Sequence, residues 1–310
     1  MEILVKSITN LEQIKSRIGL ADGIEIALFG KVPNKEMISL LRDNFDIVNF
    51  ETSDAFERKP VYRLIDPFSD DEILSQDSRR LIEESFNMFL SLQNKGYFTI
   101  HNIASCRQKI KQYQLPSISE IEERKNLFHN YIRSLDGGNG VISLENVYPN
   151  TVNKCPYDYG DFGKLFDDFP ENLGITFDIS HYAITLAMYA DGVKKEIKNN
   201  FVPLTREINF LSFIGGKEIE VGKEAGKRHL SVLLEERIQR LDNRVKVIHC
   251  SNVKRIRDVY EDGFLSGILD LSKIIKRSKA DYIVPEVIDD DYIKIDNQRK
   301  IIAYLKSLLK

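Results

Sequence analysis

The sequence is poor in cysteine and has no cysteine motif. It contains three cysteines, Cys106, Cys155 and Cys250, and no two of them form a Cys-x-x-Cys pair. An odd number of widely separated cysteines argues against a disulfide framework and against a structural zinc knuckle. The sequence also has no apolar run of the roughly 18 residues that a membrane span needs, and its charged first residues, MEILVK, contain no apolar leader segment. We therefore expect a cytoplasmic protein without a membrane partner.

An excess of one charge is absent as well. The 310 residues include 44 Lys and Arg against 47 Asp and Glu, which gives a formal net charge of −3. A general nucleic-acid binder would carry a basic excess, so this balance argues against that class. Hydrophobic residues make up 42% of the chain and charged residues 29%, which is enough apolar material for a large folded core. Assembly into a homo-oligomer remains open at this point.

Short apolar segments alternate with longer amphipathic segments along the whole chain. This alternation is typical of βα units around a parallel sheet. Eight segments have the pattern of strands: 1–8, 23–29, 45–51, 97–103, 140–147, 173–180, 245–252 and 281–288. The segment DNQRKIIAYLKSLL, 296–309, has the pattern of a closing helix. We predict one (β/α)8 TIM barrel spanning 1–310, with an open doubly wound sheet and an extra domain as the alternative.

Two connections between these segments are long. Residues 52–80 separate the third strand from its helix, and residues 199–230 form a segment inserted between the sixth and seventh strands. Loops of this length in a compact domain are usually lids or partner surfaces. We expect 199–230 to be an excursion beside the barrel mouth.

Ionisable residues interrupt the apolar strands near their C-terminal ends. On strands four to eight they are His101, Glu145, Asp178, His181, His249 and Glu286. The C-terminal ends of TIM-barrel strands converge on one mouth, where active sites lie. Carboxylates packed together there would repel one another, and a cation removes that repulsion. Carboxylates and histidines are ligands for Mg²⁺, Mn²⁺, Co²⁺ or Zn²⁺, so the pattern predicts a divalent metal site at the mouth.

Several of these segments resemble the motifs of the xylose isomerase-like TIM barrels. That superfamily includes sugar isomerases and epimerases together with endonuclease IV. The similar segments are GIEI around Glu25, LEN at Glu145, DISH from Asp178 to His181, His249 on strand seven, and a closing strand that ends in Glu286. The resemblance extends from the second strand to the last helix, and it is carried by the order and strand placement of these short motifs.

The resemblance implies a role for each residue. The implied metal ligands are Glu145, Asp178, His249 and Glu286. The implied substrate contacts are His181, His101 and Glu25, and Glu145 and Glu286 would also act as the acid and base. Together they imply a metal-dependent isomerase or epimerase of a sugar or sugar phosphate that works through an enediolate-type proton transfer.

Two other functions stay open on the sequence. An endonuclease IV-like phosphodiesterase would need further metal ions, with His101 and Asp258 as the extra ligands. The sequence departs from that pattern, because the third strand reads NFETSD without a histidine and Tyr260 stands where the superfamily has a zinc-binding histidine. The third possibility is a barrel that has lost catalysis and binds a partner through its long insertion.

Overall fold

The computed structural model describes residues 1–52, 55–58, 61–65, 67–69, 71–101, 118–146, 173–183, 224–251, 269–287, 289 and 291–310. Eight strands form a closed parallel barrel in which each strand pairs with the next and the last pairs with the first. The barrel strands are β1 Glu2–Ile8, β2 Gly23–Ala27, β3 Val48–Thr52, β6 Phe98–His101, β7 Ile142–Glu145, β8 Gly174–Asp178, β9 Val245–Cys250 and β10 Tyr282–Pro285. Seven of the eight lie within predicted strand segments and β3 extends one residue beyond its segment, so the TIM-barrel prediction is confirmed and the doubly wound alternative is wrong.

The helices alternate with the strands. They are α1 Leu11–Ser16, α2 Lys35–Asn44, α3 Glu72–Leu92, α4 Ile118–Asp136, α5 Glu224–Leu241, α6 Leu271–Arg277 and α7 Asp296–Leu308. Short polar side chains set where several of them begin, because the Asn10, Asn34 and Asp71 side chains each accept a hydrogen bond from a backbone N–H in the first turn. Among the helices that the structure describes, none is both long and apolar enough to cross a membrane.

The two long connections differ in outcome. The segment 52–80 is more structured than expected, since it contains an antiparallel hairpin, β4 Ala55–Arg58 and β5 Val61–Leu64, and the start of α3. The insertion 199–230 lies outside the described residues except for its last part, 224–230, which forms the beginning of α5. Its position beside the mouth, and the single-domain organisation of 1–310, remain predictions.

The two faces of the barrel strands have different compositions. The outward face packs against the helices and is apolar, as with Val5 on β1 and Phe50 on β3, both fully buried in the main hydrophobic core. The inward face is layered. A separate apolar cluster closes its lower end and consists of Leu4, Ile47, Val247, Tyr282 and Val284. We call this cluster the floor.

A polar layer lies above the floor. The hydroxyls of Thr99, Ser143 and Thr176 lie 2.7 to 3.1 Å from one another, and all three residues are fully buried. Two residues further towards the C-terminal end of each of these strands lies an ionisable residue at the mouth of the barrel. The strand register aligns them, because Lys6 is the Cα partner of Glu25, His101 of Glu145, and Asp178 of His249.

Candidate active site

The mouth of the barrel receives one ionisable side chain from each of the eight strands. In chain order they are Lys6, Glu25, Glu51, His101, Glu145, Asp178, His249 and Glu286, the last directly following β10. His181, three residues after Asp178, joins them, and we call the nine residues the mouth cluster. All seven residues named from the sequence lie in this cluster. Sequence reasoning missed Lys6 and Glu51.

Three members of the mouth cluster have ligand atoms that converge without hydrogen bonds. The ligand atoms of Glu145, Asp178 and His249 lie within 4.8 Å of one another. Glu145 Oε2, Asp178 Oδ2 and His249 Nδ1 are buried and accept or donate no well-directed hydrogen bond within the described residues. Buried polar atoms are nearly always satisfied, and two of these atoms, Glu145 Oε2 and His249 Nδ1, lie 3.3 Å apart, so the group indicates a place for a cation. Glu286 extends the set, because its Oε1 lies 3.3 Å from His249 Nδ1.

The orientation of His249 is fixed from behind by Glu25. His249 Nε2 lies 3.1 Å from Glu25 Oε2 in a hydrogen bond, and both side chains are fully buried. A carboxylate accepts a hydrogen bond at this contact, so Nε2 carries a hydrogen and Nδ1 is the ring atom that faces Glu145 and Glu286, 3.3 Å from an oxygen of each. This carboxylate–histidine arrangement is the one that orients metal-binding histidines in many proteins. Glu25 contacts His249 and does not line the cavity described below, and its substrate role stays a prediction.

The Asp-x-x-His segment closes a tight local network after β8. Asp178 Oδ1 accepts hydrogen bonds from Ser180 Oγ at 2.8 Å and from the backbone N–H of His181 at 2.6 Å. The side-chain amide of Asn146, the residue after Glu145, donates to the backbone carbonyl of Asp178 and accepts from the backbone N–H of Asp178. The backbone carbonyl oxygen of Asn146 lies 2.9 Å from His181 Nδ1. These hydrogen bonds use Asp178 Oδ1, so Asp178 Oδ2 is the carboxylate oxygen that can bind an ion in the mouth. Asn146 was part of the LEN motif but was not identified as a site residue.

Lys6 and Glu51 complete the other half of the cluster. Lys6 Nζ lies 2.6 Å from Glu51 Oε2 and 3.5 Å from Glu25 Oε1, and it also forms a close ion pair with Glu286. Glu51 Oε1 lies 2.9 Å from His101 Nε2 in a hydrogen bond. His101 Nε2 is also 3.3 Å from Glu145 Oε2, so the two halves of the cluster are continuous.

The charges of the cluster shift its pKa values strongly. Burial opposes the positive charge of Lys6, but Glu286 and Glu51 outweigh it and raise the pKa of the ammonium. Burial likewise opposes the charge of His249, yet Glu145 and Glu25 raise its pKa above the ordinary value. For Glu51, burial is outweighed by Lys6 and by the hydrogen bond from His101, which lower its pKa to about 2.

Asp178 and His181 titrate at unusual pH values. Burial, reinforced by the charges of Glu286 and Glu145, raises the pKa of Asp178 to about 7. Burial opposes the charge of His181, but Asp178 and Glu145 raise its pKa to about 9. The carboxylates of the cluster are thus balanced by protons on its histidines. A divalent cation can take over that balance, since metal binding displaces protons from its ligands.

A cavity of 540 Å³ opens above the mouth cluster. Its inner wall includes Lys6, Glu51, His101, Glu145, His181 and Glu286. Its rim includes Phe29 and Tyr292, which are 52% and 48% exposed. Phe29 has a φ of 42°, an uncommon conformation for a residue other than glycine and one that often accompanies functional sites. The volume suits a small metabolite.

Comparison with known proteins gives a similarity in fold. No protein-family profile matches the chain, and no curated protein matches it by sequence. Among solved structures, a D-tagatose 3-epimerase-like protein has a TM-score of 0.58 at 14% identity, covering 100% of this chain and 98% of its own. The 3-keto-D-glucoside 4-epimerase from E. coli has a TM-score of 0.57 at 14% identity, covering 99% of each chain. A D-psicose 3-epimerase crystallised in the presence of D-fructose has a TM-score of 0.56 at 13% identity, covering 100% of this chain and 99% of its own.

These similarities extend over the whole chain, including both halves of the barrel. At such low sequence identity these similarities establish the fold and do not establish the reaction. They agree with the TIM-barrel fold that the sequence pattern predicted.

Proposed function

We propose that the protein is a metal-dependent isomerase or epimerase of a sugar or sugar phosphate. The observation that carries the proposal is the convergence of three unsatisfied ligand atoms, on Glu145, Asp178 and His249, beneath a cavity of 540 Å³. The fold supports it, because the similar solved structures include proteins described as sugar epimerases.

The donor set suits a divalent metal ion. Glu145, Asp178, Glu286 and His249 would hold it, and three carboxylates with one imidazole suit Mn²⁺, Mg²⁺, Co²⁺ or Zn²⁺. Glu25 would keep the His249 ring in the ligating orientation through the Nε2 hydrogen bond of 3.1 Å. When bound, the ion supplies Lewis-acid polarisation of a carbonyl group and stabilises negative charge on neighbouring oxygens.

The protein's own residues would move the proton. Glu145 and Glu286 both border the cavity. Burial opposes the charge of each, but His249 and His101 lower the pKa of Glu145, and Lys6 and His249 lower that of Glu286. Both are therefore carboxylates at neutral pH and can accept a proton from the carbon beside a substrate carbonyl. One would remove the proton and the other would return one, in an enediolate-type transfer.

His181 and His101 would position the substrate. Both border the cavity beside Glu145, and both have pKa values raised by the neighbouring carboxylates, against the effect of burial. A protonated imidazole can donate a hydrogen bond to a substrate hydroxyl or carbonyl oxygen. The aromatic rings of Phe29 and Tyr292 at the rim would contact the apolar face of a sugar ring.

The phosphodiesterase alternative would need a second ion, and Glu51, His101 and Glu145 also place ligand atoms within 4.8 Å of one another. Its second ion would draw on His101, whose Nε2 is hydrogen-bonded to Glu51 at 2.9 Å. Its other ligand, Asp258, lies outside the described residues.

Hydrogen exchange tests the proposed reaction directly. The protein, loaded with Mn²⁺, is incubated with a panel of ketoses, aldoses and their phosphates in D2O, and NMR follows the C–H group beside the carbonyl. We expect deuterium to enter this position in at least one sugar, and chelation followed by dialysis to abolish the exchange. If one ion is bound per chain and no sugar exchanges, the isomerase proposal is wrong although the metal site stands.

A further inference from the structure

Beside the proposed metal ligands lies a second group of ligand atoms. Glu25, Glu51, Glu286 and His249 each place a potential ligand atom within 4.8 Å of the others. We call this group the second cage. It shares Glu286 and His249 with the proposed metal set, so the two groups lie side by side in the barrel mouth.

The second cage already contains a cation, the ammonium of Lys6. Lys6 Nζ lies 2.6 Å from Glu51 Oε2 and 3.5 Å from Glu25 Oε1, and it pairs closely with Glu286. Glu25 and Glu51 have side chains only 0% and 8% exposed. Glu25 Oε1 and Glu51 Oε2 accept no well-directed hydrogen bond within the described residues, so the charge of Lys6 compensates them through space.

The backbone around Lys6 is fixed. The Lys6 carbonyl oxygen accepts a hydrogen bond of 2.7 Å from Arg17 Nε, and Arg17 is itself almost fully buried. Arg17 Nη1 also donates to the backbone carbonyls of Gln13 and Tyr292. The stem of Lys6 therefore leaves β1 at a fixed point, and its length carries the ammonium into the cage.

We propose that Lys6 is a resident cation that fills the second cage and thereby limits the barrel to one divalent ion. The inference rests on the proposed metal set of Glu145, Asp178, His249 and Glu286. A divalent ion in the second cage would share Glu286 or His249 with the first ion, as in two-metal sites whose ions lie about 3.5–4 Å apart. Lys6 occupies that place with a single charge that cannot dissociate from the chain.

The consequence concerns the class of reaction. Two adjacent ions stabilise both the attacking and the leaving oxygen of a phosphodiester hydrolysis, whereas polarising one hydroxy-carbonyl group needs one ion. Lys6 is thus a specificity-determining residue, because it excludes the dinuclear arrangement. Its amine is held as an ammonium among three carboxylates, so it serves as a charge and not as a nucleophile.

Metal stoichiometry tests the inference. Wild type, Lys6→Ala and the surface control Lys15→Ala are titrated with Mn²⁺ by calorimetry, and bound metal is measured by elemental analysis after desalting. We expect one ion per chain in wild type and Lys15→Ala, and two in Lys6→Ala. Because the two ions would be adjacent, the Lys6→Ala protein should also show the EPR spectrum of a coupled Mn²⁺ pair, which an ion bound elsewhere on the surface would not give.

A double variant and a fallback make the test decisive. Lys6→Ala combined with Glu51→Gln should return to one ion, because the second cage loses a carboxylate. If Lys6→Ala does not fold, Lys6→Ser also empties the cage while keeping a hydroxyl that can donate to a carboxylate, and it should bind the second ion. One bound ion in both wild type and the folded Lys6 variant would overturn the role of Lys6 and leave the proposed metal site standing. A coupled Mn²⁺ pair in wild type would do the same. No ion in wild type would instead overturn the proposed metal site.

Discussion

On β1, β9 and β10 the floor and the mouth of the barrel interior share one strand face, yet their chemistry is opposite. On β1 the floor residue Leu4 is followed two positions later by Lys6, and on β10 Val284 is followed by Glu286. A fully buried aliphatic side chain contributes roughly 1.5–3 kcal/mol to stability, whereas a buried charge costs free energy unless it is compensated. The barrel thus separates stability and binding along its axis, two residues apart on β1, β9 and β10.

The sharpest comparison between floor and mouth is on β10. Glu286→Gln replaces a carboxylate by a neutral amide of the same shape that is a very poor base. We expect the turnover number to fall about 10²–10⁴-fold, the range of general acid–base contributions, and metal affinity to weaken as well. Activity on the sugar identified by deuterium exchange measures the first effect, and Mn²⁺ titration measures the second.

Val284→Ala, on the same strand face, is the matched control for Glu286→Gln. It should reduce stability by about 1–3 kcal/mol while the folded protein keeps its metal affinity. Thermal melting with and without chelator separates the two variants. Chelation should lower the melting temperature of Val284→Ala by as much as that of wild type. It should lower the melting temperature of Glu286→Gln by much less. Equal shifts in all three proteins would mean that Glu286 contributes nothing to metal binding.

Leu4→Ala tests the floor itself. Leu4 is fully buried in the floor cluster, and removal of a buried leucine side chain usually costs about 2–5 kcal/mol. We expect that loss in urea denaturation of both the metal-free and the metal-loaded protein, with one ion still bound per folded chain. A change in stoichiometry instead would show that floor and mouth are not separable.

The pH dependence of stability should reveal the protons that balance the mouth. The pKa of His181 is raised to about 9 and that of Asp178 to about 7, so the folded state without metal favours both protonated forms. For a raised pKa, the stabilisation is complete below the pKa of the unfolded chain and is lost as the pH rises through the folded value. The chelated protein should therefore lose stability as the pH rises from about 4 to 7 through Asp178 and from about 6.5 to 9 through His181, the second loss being on the order of 3 kcal/mol.

Metal should remove most of this pH dependence, because the ion takes over the charge balance from the histidine protons. Urea denaturation at several pH values, with Mn²⁺ and with chelator, measures the difference. Parallel curves for the two states would contradict a metal site within the mouth cluster.

Most of the mouth residues could be predicted from the sequence because an ionisable residue stands near the C-terminal end of a largely apolar strand. His249 in VKVIHC and Glu286 after YIVP stand out in this way. Lys6 does not stand out, because β1 also contains the charged residue Glu2, so a second charge on this strand suggests a solvent-exposed position. Glu51 was noticed only as the absence of a histidine in NFETSD, although its spacing of two from the buried Asn49 places both on the inward face.

The remaining differences have local causes. The hairpin β4–β5 was not predicted because Pro60 lies between its two short strands and suggested a loop. The substrate role of Glu25 was implied by the resemblance of its GIEI segment, and a short motif gives no depth along the barrel axis. The register with Lys6 on β1, and the hydrogen bond to His249 across the barrel, place it below the cavity.

The polar layer between floor and mouth should show the smallest effect. Thr99 Oγ1 lies 3.1 Å from Ser143 Oγ and 3.0 Å from Thr176 Oγ1, and the latter two hydroxyls lie 2.7 Å from each other. Thr99→Val preserves the shape of the side chain and leaves Ser143 and Thr176 bonded to each other. The loss should therefore be about 1 kcal/mol, the net value of a typical hydrogen bond, with no change in metal affinity. Urea denaturation and Mn²⁺ titration of the same sample measure both quantities. A tenfold lower affinity for Mn²⁺ would mean that the polar layer supports the mouth as well as separating it from the floor.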